Sequence, residues 1–212
     1  MKLALKIFSL LCMVAAIWWV GTAASAPQRS AADKSQQQEV SKSVKNESSV
    51  LIADFETPAE AERWRTVDDN VMGGISQGTF SVTPAGTGVF SGTLSLANNG
   101  GFSSVRRAAE GAELEAATAV SIRVKGDGRR YQLRLKMDPS DRAPSYRAEF
   151  ETRAGEWTTV TLQLSDFEPV FRGRVLDDAP AIAPDQIAQI GFLIADKREG
   201  EFALEIDWIR AT

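Results

Sequence analysis

Residues 120–137, VSIRVKGDGRRYQLRLKM, decide the fold. Val120, Ile122 and Val124 alternate with Ser121, Arg123 and Lys125. After a Gly126-Asp127-Gly128 turn, Tyr131, Leu133, Leu135 and Met137 alternate with Gln132, Arg134 and Lys136. A period of two places the apolar side chains on one face of an extended chain and the polar ones on the other. That is the pattern of antiparallel sheet with one face packed and one face in water. The same period continues downstream, with Tyr146, Ala148 and Phe150 against Arg147, Glu149 and Glu151. It returns in Val160, Leu162 and Leu164 after Trp157. IGFLIADK and EFALEIDWIRA close the chain as two strands, with Phe202, Leu204, Ile206 and Trp208 expected to point one way.

Upstream, VLIADFE reads as a first strand near Val50, and Thr57-Pro58-Ala59-Glu60 as the start of a short helix ending near Trp64: Thr suits the N-cap, Pro the first helical position, and an acid the first turn. ISQGTFSVT, a Pro84-Ala85-Gly86 turn and VFSGTLSLA follow, with Phe90, Leu94 and Leu96 on related faces. Asn98-Asn99-Gly100-Gly101 reads as a tight hairpin turn before GFSSVRR, because Asn-Gly is the strongest short hairpin signal. SDFEPVFRGRVLDDAPAIAPDQ is long and irregular, and loops of that length are usually functional or mobile. Nine or ten short strands with turns between them, uninterrupted by alternating helices, predict an all-β jelly-roll sandwich with short helical turns.

The front of the chain differs from the rest. Lys2 and Lys6 precede an apolar run from Ile7 to Val20, and Gly21 to Ala26 are small or polar. This has the layout of a secretory signal peptide over residues 1–25. The alternative is an uncleaved N-terminal membrane anchor, for which the run is shorter than the ~20 residues a span needs. Residues 26–49, rich in Ser, Gln, Lys and Ala and free of aromatics, read as a flexible linker, and residues 50–212 as the folded domain. An apolar, lysine-bearing leader places the domain in a bacterial periplasm.

Composition narrows the chemistry. Hydrophobic content of 43% and charged content of 25% are those of a globular domain. Without the first 26 residues and their two lysines, 22 basic residues face 28 acidic ones, net −6. Nucleic acid is therefore not an expected partner. The chain has no histidine, and its one cysteine, Cys12, lies in the leader. His-based triads, His metal sites and disulfides are excluded, and no cofactor is expected.

The stretch 64–76, WRTVDDNVMGGIS, is the candidate site. Asp68, Asp69, Asn70 and Ser76 are hydrogen-bonding groups, and Gly73 and Gly74 permit tight turns and close approach. Either these groups face a sugar or peptide, or the acids satisfy buried backbone and shape the loop. Asn99 and Arg106 form a second set, in which Arg106 is expected to pair with an acid of the first loop. Phe171 and Arg172 form a third: arginine beside an aromatic is the composition of an interface hot spot. Asp54, Glu56 and Asp207 lie on the first and last strands and suit oxygen-ligand calcium, but acids on strands ordinarily face solvent, and no metal site is expected. VMGGISQG lacks the strand-turn-helix context of a dinucleotide loop.

Five blocks in order, VDDNVMGGISQGTF, GVFSGTLSLANNGGFSSVR, VKGDGRRYQLRLK, EWTTVTLQLSDFEPVFRGR and IGFLIADKREGEFALEIDWI, resemble the complex I intermediate-associated protein family from about Leu51 to Arg210. The resemblance implies a galactose-binding-like jelly roll, shared with some carbohydrate-binding modules. Its mitochondrial member assists assembly of NADH:ubiquinone oxidoreductase, which implies protein partners and a non-catalytic role. The alternative is a carbohydrate-binding module of the periplasm or cell surface. For that, exposed aromatics are needed, whereas the period places Tyr131 and Tyr146 in the core.

Overall fold

The computed structural model describes residues 49–111 and 114–212. The expected leader and all but the last residue of the expected linker lie outside the described residues. Two antiparallel sheets carry the domain. The first contains β1 (Val50–Asp54), β3 (Gln77–Val82), β4 (Gly88–Leu94), β6 (Ala119–Lys125), β9 (Trp157–Gln163) and β13 (Gly200–Ala211). Its order is β3-β4-β13-β6-β9, with β1 also paired to β13. The second contains β2 (Arg65–Asp68), β5 (Ser103–Ala108), β7 (Arg130–Lys136), β8 (Ser145–Glu151), β10 (Glu168–Phe171), β11 (Arg174–Val175) and β12 (Gln189–Ile194). Its order is β11-β10-β8-β7-β12-β5-β2. The expected all-β sandwich is what forms, with 3-10 turns over Pro58–Arg63 and Pro184–Gln186.

The alternating residues meet between the sheets. Tyr131, Leu133 and Leu135 of β7, Phe192 of β12 and Val105 of β5 are fully buried against Phe90, Ile122 and Leu204 of the other sheet. Trp64 joins Phe80 at 4.8 Å and Phe192 at 6.0 Å between ring centroids, so the first loop starts from a ring fixed in the core.

Neighbours in sequence are seldom neighbours in a sheet. Only β3-β4, β7-β8 and β10-β11 are hairpins between successive strands. The Gly126-Asp127-Gly128 turn carries the chain from one sheet to the other. Asn98-Asn99-Gly100-Gly101 does the same rather than closing a hairpin: β4 pairs with β3 and β13, β5 with β2 and β12. Asn98 and Asn99 both have positive φ, a conformation Asn tolerates, and the chain turns through a short 3-10 segment. Leu96 lies past the end of β4 and is exposed. The long stretch after Leu164 is not wholly irregular. It holds the β10-β11 hairpin, whose two turn residues, Arg172 and Gly173, have φ of 49° and 80°, as a type I′ turn requires.

Trp208 does not share the face of Phe202, Leu204 and Ile206. The pairing of β13 with β6 shifts between Ile206 and Trp208, which makes Asp207 an extra residue. A bulge of one residue inverts the phase beyond it. Ile209 and Ala211 are buried as a result, and Trp208 lies outside under the Arg210 guanidinium at 4.8 Å. Ile209→Ala is therefore expected to cost about 2–5 kcal/mol in urea denaturation, and Trp208→Ala less than half as much. The reverse ranking would mean that the phase is unbroken.

Candidate functional site

β2 ends at Asp68, and Asp69–Met72 form a 3-10 turn closed by Gly73 at φ 92°. Asp69 is 0% exposed. Its carboxylate accepts hydrogen bonds from the Ser76 amide at 2.9 Å, the Ser76 hydroxyl at 2.6 Å, the Gly101 amide at 2.6 Å and the Phe102 amide at 3.3 Å. Its own amide donates to Phe102 O at 3.3 Å. A Cβ at Gly74 or Gly100 would overlap this carboxylate, so both positions need glycine. Burial by itself pushes the Asp69 carboxyl up. The Ser76 hydroxyl and the Gly101, Ser76 and Phe102 amides more than offset that and hold it below the ordinary 3.8. Asp68 accepts from the Ser103 hydroxyl at 2.6 Å and the Gly78 amide at 3.0 Å. The Ser76 hydroxyl also receives the Ser95 amide at 3.0 Å.

The two acids thus face inward and clasp the loop. They join the end of β2 to the starts of β3 and β5 and to the segment after β4. Ser103, Gly78 and Gly100 belong to this clasp, although nothing in their local sequence marks them. Gly74 is buried against the Asp69 carboxylate, whereas Asn70 and Gly73 are exposed. So is the apolar tip of the loop: Val71 is 68%, Met72 66% and Ile75 58% exposed. Leu96 lies beside it, its side chain against Gly101.

Arg106 does not pair with an acid of this loop. Asp68 stands opposite Ser103 on β5, and Arg106, three residues on, points to the other face of the sheet. Its guanidinium reaches Asp141 at 3.4 Å. Asn99 is exposed in the crossing turn. Phe171 is half-buried, and the exposed Arg172 stacks over its ring at 5.3 Å. The structure does not bring this pair to the clasp. β10 and β2 lie five strand positions apart, roughly 24 Å at ordinary strand spacing.

Neither tyrosine offers a sugar platform. Tyr131 is buried with its hydroxyl on Asp127 at 3.1 Å, and Tyr146 with its hydroxyl on Pro180 O at 2.7 Å. Burial, and then the Asp127 charge, push the Tyr131 hydroxyl far up. Trp157 is the one aromatic more than a third exposed among the described residues, and Arg123 and Lys125 both lie over its ring. Among the described residues no three acidic, histidine or cysteine side chains are grouped to hold a metal ion. Asp207 is paired with Arg123.

The family model described as complex I intermediate-associated protein 30 matches residues 53–206. The mouse mitochondrial protein of that name is 36% identical over 92 residues, covering 42% of this chain and 28% of its own. A probable Caenorhabditis elegans counterpart is 25% identical over 175 residues, covering 73% and 52%. The matches therefore span about a quarter to a half of these relatives' lengths. Among solved structures, a family 11 carbohydrate-binding module from Clostridium thermocellum, in complex with a β-1,3-1,4-mixed-linked tetrasaccharide, superposes with a TM-score of 0.57 at 17% identity. It covers 77% of this chain and 94% of its own. The family 11 module of a C. thermocellum cellulosomal cellulase gives 0.58 at 14% identity, with the same coverage. At such identities these likenesses show the sandwich fold alone.

The clasp sets an acid dependence. Because the Asp69 carboxyl is depressed in the folded state, its stabilisation is complete above the unfolded carboxyl's range, near 3.8, and is lost as pH falls through the folded value. Asp69→Asn is expected to lower stability at pH 7 by about 3 kcal/mol, since it removes a charge that four donors share. It should also flatten the fall of melting temperature between about pH 4 and pH 2. Melting curves across that range check both, and an unchanged acid profile would contradict the clasp.

Proposed function

The chain belongs to the complex I intermediate-associated protein 30 family, and on that premise we propose that it is a non-catalytic binding domain that holds a protein partner during assembly of a larger complex. The exposed apolar tip of the clasped loop carries this reading. Val71, Met72 and Ile75, with Leu96 beside them, stand in water on a stem that Asp68 and Asp69 fix from below. Apolar side chains on a pre-ordered loop lose little further freedom on docking and gain from desolvation. A nucleophile with an activating base is not evident in a domain without histidine or cysteine.

The composition of residues 1–25 places the domain, in this proposal, in an exported compartment such as a periplasm. The curated relatives have mitochondrial names. The second reading, a carbohydrate-binding module, draws on the likeness to the family 11 modules. It has Trp157 as its exposed ring, with Arg123 and Lys125 over it.

Met72→Asp with Ile75→Asp tests the first reading in the full chain. The expected result is loss of the partners that co-purify with the unaltered protein, with stability changed by less than about 1 kcal/mol. Retention of the same partners would remove the tip from the interface. Selective retardation in a polysaccharide gel, abolished by Trp157→Ala, would favour the sugar reading instead.

A further inference from the structure

The outward face of the seven-stranded sheet carries a line of cations. Arg147 on β8 stands opposite Arg134 on β7. Arg134 is opposite Gly191 on β12, Gly191 is opposite Arg106 on β5, and Arg106 is opposite Arg65 on β2. Five adjacent strands thus set four arginines in one row of roughly 19 Å, with a glycine in the middle. A Cβ at Gly191 would overlap Val105 O and crowd the Arg106 side chain, so the centre of the row needs glycine and the Arg106 side chain packs beside it. Lys136, two residues along β7, adds a fifth cation on the same face.

Acids pair with only two of the four arginines. Arg147 meets Glu168 at 3.0 Å and Arg106 meets Asp141 at 3.4 Å, and both carboxylates are largely exposed at the rim. Arg134 donates to Gln132 Oε1 at 2.6 and 3.0 Å and to Ser145 Oγ at 2.7 Å, both neutral. Lys136 donates to Ser140 O. Arg65 makes no ion pair among the described residues. Glu149, in the next row, is engaged by Gln132 at 2.9 Å and Arg130 at 3.7 Å. Crowding of like charge shows in the cations themselves. Burial, then Arg147 and Arg106, push the Arg134 guanidinium down to about 10, and burial, then Arg106, lower Lys136. All this sits on a domain whose overall charge is negative, so the cations are segregated onto one face.

We propose that this face docks an extended, carboxylate-rich segment of a protein partner, with acidic side chains on Arg65, Arg106, Arg134 and Arg147. Planar guanidinium groups take carboxylates by paired hydrogen bonds, which a line of lysines would not favour. The outward positions of these five strands hold no aromatic residue, so a neutral sugar has no ring to stack on. The class of partner rests on the protein-binding reading above, but the surface is separate from the clasp tip.

A fluorescein-labelled decapeptide of glutamate and glycine, titrated against the full chain by polarisation, tests this. Binding is expected to weaken with added salt, and a lysine-glycine decapeptide is expected not to bind. Arg134→Met with Arg106→Gln should weaken binding at least about tenfold with little change in melting temperature, because Arg134 is a crowded cation paired to no acid and the Arg106–Asp141 pair is exposed on its acid side. Arg153→Gln with Arg198→Gln, which removes as much charge from exposed positions outside these five strands, should leave binding within about twofold. Equal loss in both double variants would reduce the effect to net charge and overturn the proposal. Tighter binding of polyphosphate or oligogalacturonate than of the glutamate peptide would also overturn it, by assigning the face to another polyanion. Met72→Asp with Ile75→Asp leaves the peptide titration unchanged if the two surfaces are independent. Failure of the tip reading and failure of this one are therefore told apart.

Discussion

One buried carboxylate, with no cationic partner among the described residues, holds one end of the sandwich together. Asp69 is out of water and takes its hydrogen bonds from serine and from backbone amides. A buried carboxylate is tolerable only when such donors surround it, and it then binds them more strongly than a neutral acceptor would. The donors belong to different elements. Ser76 leads into β3 of one sheet, and Gly101 and Phe102 lead into β5 of the other; the Ser76 hydroxyl in turn takes the amide of Ser95, just after β4. Asp69 thus joins the two sheets where the chain crosses between them, and Gly74 and Gly100 exist to let it in.

From that joint follows the character of the loop surface. Once Asp68, Asp69 and Ser76 are turned inward, Val71, Met72 and Ile75 are left outside with Asn70. This inverts the usual arrangement, in which a loop shows polar groups to water and anchors through apolar ones. Such an inversion costs solubility and is usual where a surface is covered by a partner. The acids that make the stretch look like a ligand site in sequence are its scaffold, and the residues between them are its surface.

Two surfaces of opposite character result. The tip is small, apolar and rigid. The sheet face is cationic along the arginine row. In association, desolvation of apolar groups gives lifetime, while complementary charge steers encounter and fixes orientation.

The period-two alternation of residues 119–136 and 145–151 was enough to read the strands, their inward faces and the buried tyrosines, because side-chain direction in a strand is a local property of the backbone. The absence of histidine and the presence of one cysteine, Cys12, were likewise legible, and they leave this chain no His-based triad, His metal site or internal disulfide. Tertiary structure alone decided which strands share a sheet. Asn98-Asn99 and Gly126-Asp127-Gly128 look like hairpin turns but lead from sheet to sheet, since a turn fixes the local bend and not the partner of the strand that follows. The phase of β13 beyond Asp207 was likewise invisible, as a bulge is set by what the neighbouring strands need. The arginine row is the clearest case. Each of Arg65, Arg106, Arg134 and Arg147 looks like an ordinary solvent-facing residue in its own strand. Only the register across five strands, fixed by core packing on the opposite face, sets them side by side.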